Sequence, residues 1–199
     1  MNVNKEQENF CHVGFAIVGT CTTILRDILL SYILPADISN KVNLGHPVWR
    51  RLNRHQQSLI SRASIDGYQN FDISLLYVLL RNVCTCLGVP QTSDLAPPTK
   101  GWGKDPTATD INMSDDIERI RILRNEIYGH LPQASIPSLE FNDVWRKLQD
   151  ISQRMQAITG SDYPGKLGNI LSMQLTNDGW KELKDLISKN QGTMYSNFE

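Results

Sequence analysis

Residues 115–132 read DDIERIRILRNEIYGHLP, and the periodicity of this stretch decides the fold class. At about 100° per residue, Ile117, Ile120, Leu123 and Ile127 share one narrow sector of a helix, which must face a core. Arg124 lies about 65° to one side of that sector and His130 about 55° to the other, so neither points straight at water. Asp115 as N-cap with Glu118 three residues on predicts the start of the helix, and Gly129 with Pro132 predicts its end.

A half-buried guanidinium needs an anionic or carbonyl partner, because desolvating a lone charge costs several kcal/mol. For Arg124 that partner is either a carboxylate of the same domain or a phosphate, which arginine grips through two parallel hydrogen bonds. His130 falls where the negative pole of the helix dipole favours its protonated form, a setting suited to general acid and base work. Asn125 and Tyr128 add an amide and a hydroxyl on the adjoining flank. By spacing alone the pattern is equally that of an ordinary amphipathic helix, with arginine at its polar border and histidine at its C-terminus.

Working outward, other segments repeat the helical period. FDISLLYVLLRNVCTCLGVP (71–90) carries Phe71, Leu75, Val78, Leu79 and Val83 on one side, widened by Leu76 and Leu80, with Asp72 as cap. A stripe of Phe141, Val144, Trp145, Leu148, Ile151, Met155 and Ile158 predicts a helix from about Pro137 that stops at Gly160. From about Val13 to Leu34 the apolar positions recur every three or four residues until Pro35 stops them. That stretch is apolar enough to suggest a membrane span, but Arg26 and Asp27 interrupt it, and it reads as a buried first helix with no membrane partner. Residues 161–169 read as a turn, followed by one short and one longer helix broken near Asn177.

Between these helices, residues 90–113 hold four of the nine prolines and no periodic pattern. A loop that long is functional or disordered unless something orders it. Trp102 between Gly101 and Gly103 predicts a docked side chain where the backbone bends sharply. No segment shows the period-two alternation of a half-buried strand, and no repeat emerges. The fold class is all-α. The expected organisation is an N-terminal tail over 1–9, a helical domain over 10–160, C-terminal helices over 161–190 that join the domain or begin a linker, and a tail over 191–199.

The 199 residues suit one domain with a proper core, and 20 basic against 21 acidic residues leave a net charge of −1. Global charge therefore favours no class of partner, but local charge does. Between Lys41 and Arg62 stand Lys41, Arg50, Arg51, Arg54 and Arg62 with no acidic residue. This is either a solvated face balanced elsewhere in the fold or a surface that tracks phosphates. Cys11, Cys21, Cys84 and Cys86 are too few and too unevenly spaced for a disulfide scaffold, and no second ligand pair at zinc spacing accompanies Cys84 and Cys86. Reduced, mostly buried thiols, no metal, no cofactor and a cytoplasmic location are the expectation.

Arg124, Asn125 and His130 resemble the hallmark of the HEPN superfamily, an arginine followed by a polar residue with a histidine four to six residues beyond. More specifically, NFDISLLYVLLRNVC (70–84), GWG (101–103), DDIERIRILRNEIYGH (115–130) and FNDVWRKLQDISQRMQ (141–156) resemble the HEPN domain of the DAZ-interacting zinc-finger-protein type. The resemblance implies a compact bundle of about five to seven helices that pairs as a symmetric homodimer. It also implies links to ubiquitin ligases, to innate immunity and to longer multidomain chains.

In catalytic members of the superfamily RNA is cut without a metal, leaving a cyclic phosphate. By that resemblance His130 is the general base or acid, Arg124 holds the developing charge and Asn125 orients the pair. Arg50, Arg51, Arg54 and Tyr128 are the candidate RNA contacts. The competing expectation is a non-catalytic interaction module, in which Arg124 and His130 anchor an interface. Nucleotide binding is a minor third reading, because no Gly-rich phosphate loop is present. The similar LLRN of residues 79–82 has Leu87 where a histidine would stand, and Arg81 reads as structural.

Overall fold

The computed structural model describes residues 4–84, 95–129 and 132–174, together with 179, 181, 183, 185 and 187. Among the described residues the chain is all-α, with no strand. In chain order the helices are α1 (Lys5–Tyr32), α2 (Ile38–Lys41), α3 (Arg54–Asp66), α4 (Ile73–Cys84), α5 (Met113–Gly129), α6 (Ser138–Thr159) and α7 (Tyr163–Ser172). A short 3-10 turn, Trp49–Arg51, precedes α3. The expected break near Asn177 and the tail over 191–199 lie outside the described residues.

Two compact units divide the chain. One takes the described residues up to Ile24 and from Ile120 on, and the other takes Leu25 to Arg119. Both boundaries fall within helices, α1 and α5.

In the first unit, α1 packs on α6 and α7. Helix α1 starts at Lys5, ahead of the expected Val13. Asn4 accepts from Gln7 N at 2.9 Å while the Gln7 side chain accepts from Asn4 N, a reciprocal cap that the sequence reading overlooked. Ala16–Cys21 winds as a π-turn inside the helix, which locally shifts the phase of the apolar face. The whole of α1 is long and apolar enough to cross a membrane, yet 61% of its apolar window is buried against the protein.

Helix α6 follows its stripe closely. Val144, Trp145, Leu148, Ile151 and Met155 are buried, each contributing roughly 1.5–3 kcal/mol. Ile158 is 54% exposed, so the buried stripe stops one turn early. Gly160, at φ 78°, takes the left-handed conformation that ends the helix. The turn expected over 161–169 is instead the start of α7. Asp162 caps Gly165 N at 2.8 Å, and Pro164 fits the first turn because its missing N–H leaves no bond unmade. Tyr163 and Leu167 of this helix are buried.

In the second unit, α4 begins as its sequence predicts, with Asp72 accepting from Leu75 N at 2.8 Å. Its fully buried residues are Leu75, Leu76, Leu79 and Leu80, while Val78 and Val83 are only partly covered. The sector is rotated from the expected one, and from Leu80 the helix winds as a π-turn through Cys84. Tyr68 donates to the Ile33 carbonyl at 2.9 Å and packs on Phe71. Burial drives the Tyr68 phenol pKa well above its usual value.

Candidate functional site

Helix α5 starts at Met113, so Asp115 is its third residue and not its cap. Its carboxylate reaches back to Asn112 N at 3.1 Å and also accepts from Thr99 N at 2.7 Å and Thr99 Oγ1 at 2.8 Å. Glu118 makes no capping box. It accepts from Tyr77 Oη at 2.5 Å and from Gly103 N at 2.8 Å. Asp116 pairs with Arg119 at 2.7 Å, and Arg119 donates to the carbonyls of Thr107, at 2.6 Å, and Asp110.

Asp115, Asp116 and Glu118 are all 0% exposed. Buried carboxylates are tolerable only when hydrogen-bonded and charge-compensated. Here the donors come largely from Thr99, Gly103 and Asn112 of the proline-rich loop, whose described part, from residue 95 on, is thus tied to the first turns of α5. Trp102 docks as expected, edge-on to Tyr77 with ring centres 5.7 Å apart. Gly101 and Gly103 both have φ near +84° to +85°, a conformation that only glycine adopts without strain. Nothing in the sequence marked this acid-lined anchor, because an acidic first turn is also what any helix N-terminus favours.

The second half of α5 carries the arginine of interest. Arg124 is only 5% exposed. Its Nη1 donates to Asn125 Oδ1 at 3.0 Å, and its guanidinium carbon lies 4.5 Å from the centre of the Tyr128 ring. An amide and an aromatic face are thus among the contacts of the Arg124 guanidinium. Tyr128 is itself 8% exposed, whereas Asn125 is exposed. The structure thus brings Arg124, Asn125 and Tyr128 together on one turn. His130 lies outside the described residues.

Downstream, Ile136 N donates to Glu6 O at 3.0 Å, and Asn9 Nδ2 donates to Ile136 O at 3.0 Å. These bonds fasten the turn after α5 to α1. Within it Ala134 has φ 50°, left-handed for a residue with a Cβ.

Arg50, Arg51 and Arg54 belong to the other unit. All three are exposed, as is Lys41, and none of the four makes an ion pair among the described residues. Arg62 is the exception in this basic run, paired with Asp66 at 2.9 Å. Arg81 of the LLRN echo is exposed, unlike Arg124.

His12 is a feature that the sequence did not flag. It is 3% exposed and lies against Phe141 and Trp145, at ring-centre distances of 6.4 and 6.5 Å. Neither ring nitrogen makes a hydrogen bond of standard geometry. Burial lowers its pKa below 6.5, against smaller opposing effects of Glu8 and the Met173 backbone. Cys11, Cys21 and Cys84 are buried, and burial pushes the Cys11 and Cys21 thiols up to about 12, which leaves those two as packing groups with little thiolate. Cys86 lies outside the described residues.

Comparison with known families matches residues 36–183 to the DZIP3/hRUL138-like HEPN family. The chain belongs to this family. The matched range includes both the basic turn at 49–51 and Arg124. Similar curated proteins are the E3 ubiquitin-protein ligases DZIP3 of Mus musculus and Homo sapiens, each 28% identical over 87 residues. Those 87 residues are 44% of this chain and 6% of either relative. No solved structure matches.

Proposed function

We propose that this chain is an RNA-binding HEPN domain and a metal-independent endoribonuclease. The observation that supports RNA binding is the exposed, acid-free group of Arg50, Arg51 and Arg54. Clustered guanidiniums repel one another, and an anionic polymer that neutralises them releases its own counterions on binding. Cleavage is assigned to Arg124, Asn125 and His130. A base takes the proton of the 2′-hydroxyl, the oxygen bonds to the adjacent phosphorus, and the bond to the 5′-oxygen breaks as that oxygen is protonated. His130 is the proton carrier, and Arg124 stabilises the equatorial oxygens, oriented by Asn125. At 5% exposure Arg124 offers little of itself in this conformation. The step therefore calls for its stack on Tyr128 to open when RNA or a second, symmetry-related copy of the chain binds. A cytoplasmic location accompanies this reading.

The test is incubation of purified protein with labelled single-stranded RNA, with and without EDTA, beside His130→Ala and Arg124→Ala. EDTA-resistant cleavage that both substitutions abolish is the expected result, and cleavage surviving both overturns the assignment. A second reading is favoured by the internal partners of Arg124. In it the domain is a non-catalytic dimerisation module of an innate-immune or ubiquitin-ligase-related multidomain protein, and Arg124 is structural. Light scattering on His130→Ala decides it, because that reading requires the substitution to weaken self-association.

A further inference from the structure

The geometry points to Trp49 as a stacking platform for one unpaired nucleobase, which makes the turn Trp49–Arg51 the element that selects single-stranded over duplex RNA. The inference rests on the RNA-binding reading above.

The turn is fixed in place. Trp49 N bonds His46 O at 3.0 Å, Arg51 N bonds Val48 O at 2.9 Å, and Leu52 N bonds Trp49 O at 3.2 Å. Gln57, one turn into α3, donates to the carbonyls of both Trp49 and Leu52, at 3.0 and 3.1 Å. Val48 and Leu52, on either side, are buried at 3% and 6% exposure. Between these two anchors the intervening side chains are less buried. Arg50 and Arg51 are exposed, and Trp49 is partly exposed.

An indole at a protein surface ordinarily packs on another ring or hands its N–H to an acceptor. Trp49 does neither among the described residues. It is the first residue of a run that continues with two free guanidiniums, and a third free one, Arg54, opens α3. An aromatic residue directly followed by unpaired cations supplies the two elements that hold single-stranded nucleic acid, a face for a base and charge for the phosphates. Duplex RNA keeps its bases inside the helix and can use only the cations. Of the four cations between residues 41 and 54, three are arginines, whose planar heads suit bidentate phosphate contacts better than the point charges of lysine. That preference favours RNA over an anionic membrane surface, which needs only charge.

The experiment measures anisotropy of a fluorescein-labelled 12-nucleotide single-stranded RNA, and of the same strand in a duplex, titrated with the full chain. Wild type, Trp49→Ala, Trp49→Phe and the double variant Arg50→Ala/Arg51→Ala are compared, with circular dichroism to check folding. Trp49→Ala should bind the single strand about tenfold more weakly and the duplex within about twofold, and Trp49→Phe should keep most of the affinity. Saturating single strand should also quench the emission that is present in wild type and missing from Trp49→Phe, a readout that survives if Trp49→Ala fails to fold.

Unchanged single-strand affinity in Trp49→Ala, with a loss in the double arginine variant, overturns the platform and leaves RNA binding standing. Equal losses on single strand and duplex overturn it as well. If wild type binds neither RNA but does bind phosphatidylserine vesicles or polyglutamate, the platform and the RNA reading both fall.

Discussion

Tyr77 donates its phenol proton to Glu118 Oε1 at 2.5 Å, and the same oxygen accepts the backbone N–H of Gly103 at 2.8 Å. One buried carboxylate thus joins helix α4, the Gly-Trp-Gly turn and helix α5. Glu118→Ala strands both donors, and each buried donor left unmade costs about 1–3 kcal/mol. We expect a loss of about 3 kcal/mol in chemical denaturation, with Tyr77→Phe costing less. A double-mutant cycle should give a coupling of about 1 kcal/mol or more, and additive losses would show that the pair does not act as a unit.

The stack of Arg124 on Tyr128 makes an arginine-to-lysine exchange non-conservative. An ammonium cannot keep the planar contact and the bond to Asn125 together. Lysine also lacks the planar fork that grips two phosphate oxygens once the stack has opened, so Arg124→Lys should abolish cleavage of the labelled RNA as fully as Arg124→Ala, while Tyr128→Leu should lower the melting temperature through loss of a contact of about 1 kcal/mol. Cleavage by Arg124→Lys at the wild-type rate would refute the role given to the guanidinium.

Burial of His12 gives stability a pH dependence whose sign follows from its lowered pKa. Burial disfavours the charged ring in the folded protein, whereas the unfolded chain takes up the proton at its ordinary value of 6.5. Folding stability is therefore fully present above pH 6.5 and falls as pH drops below that value toward the lower folded pKa, by at most about 1.4 kcal/mol per pH unit. His12→Leu should flatten that part of the stability profile in urea melts between pH 7.5 and 5. A profile of unchanged slope would assign the dependence to other groups.

Ala134, at φ 50°, holds a left-handed conformation that costs a Cβ-bearing residue roughly 1 kcal/mol. Glycine removes that strain but enlarges the freedom of the unfolded chain, so the two effects oppose. Ala134→Gly should be neutral to stabilising by about 0.5 kcal/mol, whereas Ala134→Val should destabilise by more than 1 kcal/mol. Thermal denaturation of the pair settles the order.

Free arginines on the surface should announce themselves through salt. Each phosphate contact removed from a single strand lowers the slope of log affinity against log salt by about 0.7. Arg51→Gln should weaken binding evenly across RNA sequences with that change in slope. A sequence-selective loss would instead mark Arg51 as a base reader.

Helix positions and the all-α class were legible in the sequence because the 3.6-residue period is local. The α6 stripe, the Asp72 cap and the glycine stop at residue 160 depend only on residues a few positions apart. The same locality explains the misses: the first turn of α1 is polar and α7 opens on Tyr-Pro-Gly, so locally Asn4 looks like a tail and Asp162 like a turn. Helical spacing also placed Arg124 at the edge of the buried face.

What holds Arg124, and what Asp115, Asp116 and Glu118 are for, was decided only in three dimensions. Periodicity fixes the direction of a side chain and says nothing about what meets it there. Glu118 finds Tyr77 and Gly103 through packing across long stretches of chain, and that packing converts an ordinary acidic helix start into the fully desolvated anchor of a loop. Arg124, buried by the tertiary structure, lays its guanidinium against Tyr128 of its own helix, a contact that an aromatic face one turn away makes favourable.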